Sequence, residues 1–188
     1  MNGWPMSVVS IIGAESTGKT TLAQRLGEVL AAPVLAETLR EWVDRHGRLP
    51  SRADQGSILA EQMQRESVAV QRLRTTDSSP AHPGRRWLIC DAGPLMTAVY
   101  SLQYFDDGSL LVEAARHQRT YTLTLWCDTD IAWIADPGQR DGPGARAAAH
   151  DIIRDVLERF SLRNVRVAGP PSQRVESALT AIGADRPE

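Results

Sequence analysis

The chain has 188 residues, a formal net charge of −2 and 42% hydrophobic residues. That length suits one well-buried domain and is short for two. The near-neutral balance gives no electrostatic footprint for nucleic acid or for an acidic membrane surface.

The first candidate strand, residues 7–12, is a β-branched run that stops at Gly13. It opens into Gly13-Ala14-Glu15-Ser16-Thr17-Gly18-Lys19-Thr20, the pattern G-x-x-x-x-G-K-[ST] of the phosphate-binding P-loop. Beyond it, Leu22, Leu26, Val29 and Leu30 recur at helical spacing. Strand, glycine loop and helix N-terminus aim backbone N–H groups and the helix dipole at phosphate. Lys19 is the only lysine among 21 lysines and arginines. A preference for arginine explains the others but not this one. A compact ammonium reaches the β- and γ-phosphates where a planar guanidinium fits poorly. ATP is therefore expected at Gly13, Glu15, Ser16, Thr17, Gly18, Lys19, Thr20 and Thr21, with the Thr20 hydroxyl on Mg²⁺.

Residues 32–36 form a second strand candidate, ending at Glu37. An amphipathic stretch covers about residues 53–73, with Ile58, Met63 and Val70 among its apolar positions. Residues 75–85 are turn-rich and read as a flexible surface loop. A buried strand follows at 86–90, closed by Asp91, with Gly93-Pro94 at a helix start. Residues 121–127 and 164–168 supply the last two strands. Cys90 and Cys127 end apolar runs and read as buried free thiols, without metal-ligand spacing. No apolar run approaches a membrane span and Met1-Asn2-Gly3-Trp4-Pro5 does not read as a signal sequence, so a cytoplasmic protein is expected.

Five strands alternating with helices predict an α/β fold, a P-loop NTPase whose parallel sheet carries helices on both faces. Ligands of such sheets bind at the carboxyl ends of strands, where Gly13, Glu37, Asp91 and Asp128 fall. Phosphoryl transfer needs cradled phosphates, a held Mg²⁺, neutralised charge and an acceptor hydroxyl in line. Asp91 reads as a holder of Mg²⁺ or of the acceptor, or else as a helix N-cap. Glu37 reads as the acceptor's proton acceptor or sugar ligand, or else as a solvated first-turn carboxylate. Arg40 either pairs with Glu37 at i,i+3 or reaches phosphate. Residues 134–146 join a strand to a helix expected near Ala147, and with Arg140 and Arg146 they read as a lid over the phosphates. Gly169-Pro170-Pro171 reads equally as adenine-pocket lining or a plain turn. Tyr100 and Tyr104, one helical turn apart, read as core rather than as acceptor contacts.

Several segments together resemble a known group. They are Gly13–Leu22, Glu37-x-x-Arg40-Glu41, Cys90-Asp91 followed by Pro94-Leu95-Met96-Thr97-Ala98, and Trp133-x-x-Asp136 with Arg140. Their order resembles the ribosylnicotinamide kinase domain of NadR-type proteins, over nearly the whole chain. The resemblance implies a nucleoside-kinase-like fold, ATP·Mg²⁺ as donor and the 5′-hydroxyl of nicotinamide riboside as acceptor. It implies that Glu37 and Asp91 bind the acceptor or Mg²⁺, and that Arg140 belongs to the lid. The chain is expected to hold this kinase domain alone, without the adenylyltransferase and DNA-binding regions common in that group. Where such kinases present stacking aromatics beside the second-strand glutamate, Ala36 and Thr38 stand here, with Trp42 a substitute from the next turn. The alternatives are a kinase for another nucleoside or small metabolite, and a nucleotide-sensing regulatory P-loop ATPase.

Overall fold

Short β-branched runs alternate with amphipathic helices, so each strand must be covered on both faces. The computed structural model describes residues 6–75, 85–133 and 142–184. Its strands are β1 (Met6–Ile12), β2 (Val34–Leu35), β3 (Arg86–Asp91), β4 (Leu123–Cys127) and β5 (Val165–Val167). They form one parallel sheet in the order β2-β3-β1-β4-β5. The helices are α1 (Lys19–Leu30), α2 (Thr38–His46), α3 (Arg52–Thr75), α4 (Pro94–Phe105), α5 (Leu111–Gln118), α6 (Pro143–Arg159) and α7 (Pro171–Ala184).

Alternation along the strands divides the core in two. Val9, Ile11, Ile89, Leu125, Cys127 and Val167 pack with α1 and α7. Ile12 and Trp126 face the other layer, where Leu59, Leu95, Val99, Ala114 and Ile153 bring in α3 to α6. Both cysteines are buried free thiols, as expected. Chain order turns back about β1, whose neighbours are β3 on one side and β4 on the other, so a crevice opens at its carboxyl end.

Two expectations shift. The helix expected near Ala147 starts at Pro143, because Gly142 at φ 97° turns the chain and proline is preset for the first helical position. The apolar reading of 53–73 is incomplete. The buried strip of α3 runs Gln55, Ile58, Leu59, Gln62, Glu66, three of the five polar. The turn-rich residues 76–84 and residues 134–141 of the expected lid, with Asp136 and Arg140, lie outside the described residues.

Candidate functional site

The loop between β1 and α1 is shaped by close approach. A Cβ at Gly13, where φ is +153°, would stand 2.8 Å from Thr17 Oγ1 and 3.0 Å from Cys127 Cβ. Ser16 (φ 52°) and Gly18 (φ 78°) take the left-handed region and curl the backbone so that α1 begins at Lys19. Thr17 Oγ1 donates to Ala14 O at 2.7 Å and Lys19 Nζ donates to the same oxygen at 2.9 Å. Lys19 is 8% exposed, its ammonium bonded inside its own loop.

An arginine that the sequence did not single out braces this loop. Arg174, on α7 and 2% exposed, donates through Nη1 to Thr17 O at 3.0 Å and through Nε to Gly169 O at 2.7 Å. Its Nη2 reaches Asp128 O at 3.1 Å and pairs with Asp130. One guanidinium thus ties the P-loop to the ends of β4 and β5. Beside it, Gly18, Thr21, Leu22, Arg25, Ile131, Pro171 and Val175 line a cavity of about 80 Å³. Pro171 of the Gly169-Pro170-Pro171 segment therefore does face a cavity next to the loop. Arg146 is a buried first-turn residue of α6 whose Nη2 donates to Thr129 O and Ile131 O, each at 2.9 Å. It is not a solvated arginine.

On the other side the loop borders a cavity of about 540 Å³. Residues 15–21 form one wall, and Glu37, Arg40, Gln55, Tyr100, Tyr104 and Phe105 form others, with Leu39, Val43, Leu49 and Pro50. The tyrosines expected in the core thus line this space, because α4 runs beside it. Trp42 does not line it; it is buried and stacked on His46 at 4.0 Å. The aromatic surface comes from α4 instead of α2. Gln55 is 3% exposed, and its Oε1 meets no donor among the described residues.

Glu37 occupies the cap position of α2 but makes no side-chain cap bond. Burial holds its carboxyl above the usual glutamate range; Lys19 pulls it down, Asp91 pushes it up and Arg40 pulls it down. Those influences place Lys19, Asp91, Arg40 and Glu37 in one electrostatic neighbourhood. Asp91 is not the N-cap of α4; Gly93 is. Asp91 is 4% exposed, and its Oδ1 has no hydrogen-bond partner among the described residues. A buried carboxylate oxygen left without a donor is costly unless a cation or ligand meets it. Asp128 is paired with Arg166 at 2.6 Å, which holds its carboxyl below the usual range. Among the described residues no group of three or more His, Cys, Asp or Glu could hold a metal. Thr20, on the wall of the larger cavity, and Asp91 are the residues suited to a Mg²⁺ brought in with phosphates.

The comparisons agree with this architecture. A family model described as an AAA domain matches residues 8–174. No curated protein matches the sequence. Among solved structures, a NadR protein in complex with NAD and AMP-PNP is 24% identical, with a TM-score of 0.72, covering 95% of this chain and 49% of that one. A NadR protein in complex with NR gives 21% identity and a TM-score of 0.71 over 95% and 50%. The chain therefore spans about half the length of these NadR structures. Deoxyadenosine kinase from M. mycoides is 8% identical, with a TM-score of 0.62 over 94% of this chain and 99% of that one. The fold is that of P-loop nucleoside and nucleotide kinases, and no described helix is long and apolar enough to cross a membrane.

Proposed function

Because the chain belongs to the AAA domain family and has a P-loop kinase fold, we propose that it transfers the γ-phosphoryl of ATP to the 5′-hydroxyl of nicotinamide riboside. The observation carrying this reading is the larger cavity, which joins the wall of Lys19 and Thr20 to an aromatic chamber bearing Glu37 and Arg40. One continuous space can hold donor phosphates and a flat acceptor base. Its volume of about 540 Å³ is in the range of small-molecule sites.

In this reading Lys19 leaves the Ala14 carbonyl for the β- and γ-phosphates, and the amides of the loop cradle them. Thr20 and Asp91 would hold Mg²⁺, which neutralises phosphate charge when bound. Glu37 orients the acceptor hydroxyl and takes its proton as the oxygen bonds to phosphorus; a carboxyl raised by burial suits that task. Tyr100, Tyr104 and Phe105 offer faces for the pyridinium ring, a cation–π arrangement. Arg40 supplies a cation to the chamber that holds Glu37. A kinase fold with a chamber beyond the P-loop favours an acceptor enzyme over a regulatory ATPase.

The test is an ATP-consumption screen over nucleosides, nicotinamide riboside included. Strong acceleration by nicotinamide riboside, with nicotinamide mononucleotide as product, is expected. Acceleration by another nucleoside alone would transfer the reading to that acceptor, and none at all would favour the regulatory ATPase.

A further inference from the structure

The polar strip of α3 forms a directed hydrogen-bond chain beneath the acceptor chamber. Thr38 N–H, in the peptide unit after Glu37, donates to Gln62 Oε1 at 3.2 Å, and Thr38 Oγ1 bonds the same oxygen. Gln62 Nε2 donates to Glu66 Oε1 at 2.7 Å. Glu66 Oε2 accepts from Tyr121 Oη at 2.7 Å and from His117 Nε2 at 2.6 Å. Burial first, and then the charge of Glu66, hold the thiol of Cys90, next to Asp91, well above the usual cysteine range. Thr38, Gln62 and Glu66 are 2%, 1% and 3% exposed. Arg65 approaches from the outer side, donating to Thr38 Oγ1 at 2.9 Å and to Glu41.

The chain has one workable polarity. A backbone N–H only donates and a carboxylate only accepts, so Gln62 must turn its carbonyl to Thr38 and its amide nitrogen to Glu66. A helix normally buries apolar residues on this face, and a partly satisfied buried network is worse than an apolar one. We propose that Glu66 is a positioning residue for Glu37. It fixes the sense of the Gln62 amide, which pins the first turn of α2 and thereby the Glu37 carboxylate at the chamber wall. The inference rests on the reading of Glu37 as the acceptor's partner.

An exchange of groups tests it. Glu66→Gln sets an amide nitrogen against Gln62 Nε2 or, turned over, against the Tyr121 and His117 donors, and Gln62→Glu makes two carboxylates meet. The double variant restores the polarity, since residue 62 then accepts from Thr38 and from the new amide, whose oxygen accepts from Tyr121 and His117. Turnover is counted per site that binds a non-hydrolysable ATP analogue, so an unfolded fraction drops out. Hydrogen exchange at the Thr38 amide is followed on the full chain.

Each single variant is expected to lose about tenfold or more in kcat with ATP affinity unchanged, and to exchange Thr38 faster. The double variant is expected to return to within about threefold of wild type on both readouts. Tyr121→Phe, which removes one donor but keeps the polarity, should stay within about threefold of wild type. Singles at wild-type level, a double no better than the singles, or a Tyr121→Phe loss as large as that of Glu66→Gln would each overturn the proposal. If wild type phosphorylates no nucleoside, the acceptor reading fails, and Thr38 exchange alone decides whether Glu66 pins α2.

Discussion

Lys19 Nζ donates to the carbonyl oxygen of Ala14 at 2.9 Å, so the chain's only lysine is stored against its own loop. Phosphate must win the ammonium from one neutral acceptor, an exchange favoured by charge-assisted bonding. A guanidinium is wider and planar, and replaces a compact ammonium poorly at this point.

Lys19→Arg is therefore expected to lower kcat/KM for ATP by about 100-fold or more while the protein stays folded. Steady-state kinetics beside thermal unfolding measures both. Retained turnover would mean that a point charge is not what the site needs.

Asp91→Asn separates two roles. With Oδ1 buried and unpartnered, a purely structural Asp91 would be replaced at little cost, and stability should hold or rise. If Asp91 serves Mg²⁺ or the acceptor, kcat should fall by about 100-fold while the Kd for ATP changes by less than about threefold. Calorimetric ATP titration with single-turnover kinetics reads the difference. Unchanged kcat would leave Asp91 without a part in the reaction.

The P-loop and all five strands were legible because each rests on local pattern, a glycine-bounded motif or a β-branched run. The strand-end positions of Glu37 and Asp91 were legible for a related reason, since each follows or closes a short apolar run. What stayed hidden depends on distant partners. Arg174 looks like any surface arginine until α7 lays it 3.0 Å from Thr17 O, 157 residues earlier in sequence. Tyr100 and Tyr104 have core-like spacing, and only the position of α4 beside the cavity turns them toward ligand space. Gln55, Gln62 and Glu66 did leave a signal, polar residues on the same helical face as Ile58 and Leu59, but apolar periodicity passes over them.

Arg174 gives a stability prediction. Arg174→Ala leaves the carbonyls of Thr17, Asp128 and Gly169 without this donor and breaks the pair with Asp130. A loss of about 3 kcal/mol is expected, on the order of 10 °C in Tm. Arg174→Lys keeps the charge but not the fork, and should recover less than half of it. Thermal unfolding of the three proteins checks this, and a lysine variant as stable as wild type would show that geometry is irrelevant there.

Glu37 links function to pH. Burial raises its carboxyl pKa above the unfolded value, so the folded protein holds that proton more tightly than the unfolded chain does. Its contribution is then most favourable below the ordinary glutamate pKa of about 4.3 and is lost as pH rises through the folded value. Glu37→Gln, which never ionises, should match wild type in stability near pH 4 and exceed it at neutral pH, in the absence of nucleotide. The same change removes the proposed proton acceptor, and kcat should fall by about 100-fold or more. Denaturant unfolding at several pH values, paired with kinetics, reads both effects. Equal stability at every pH would mean that the carboxylate is not penalised by burial, and unchanged kcat would remove it from the proton transfer. Gain in stability with loss of turnover is the pattern of a group held in a costly environment for the sake of the reaction.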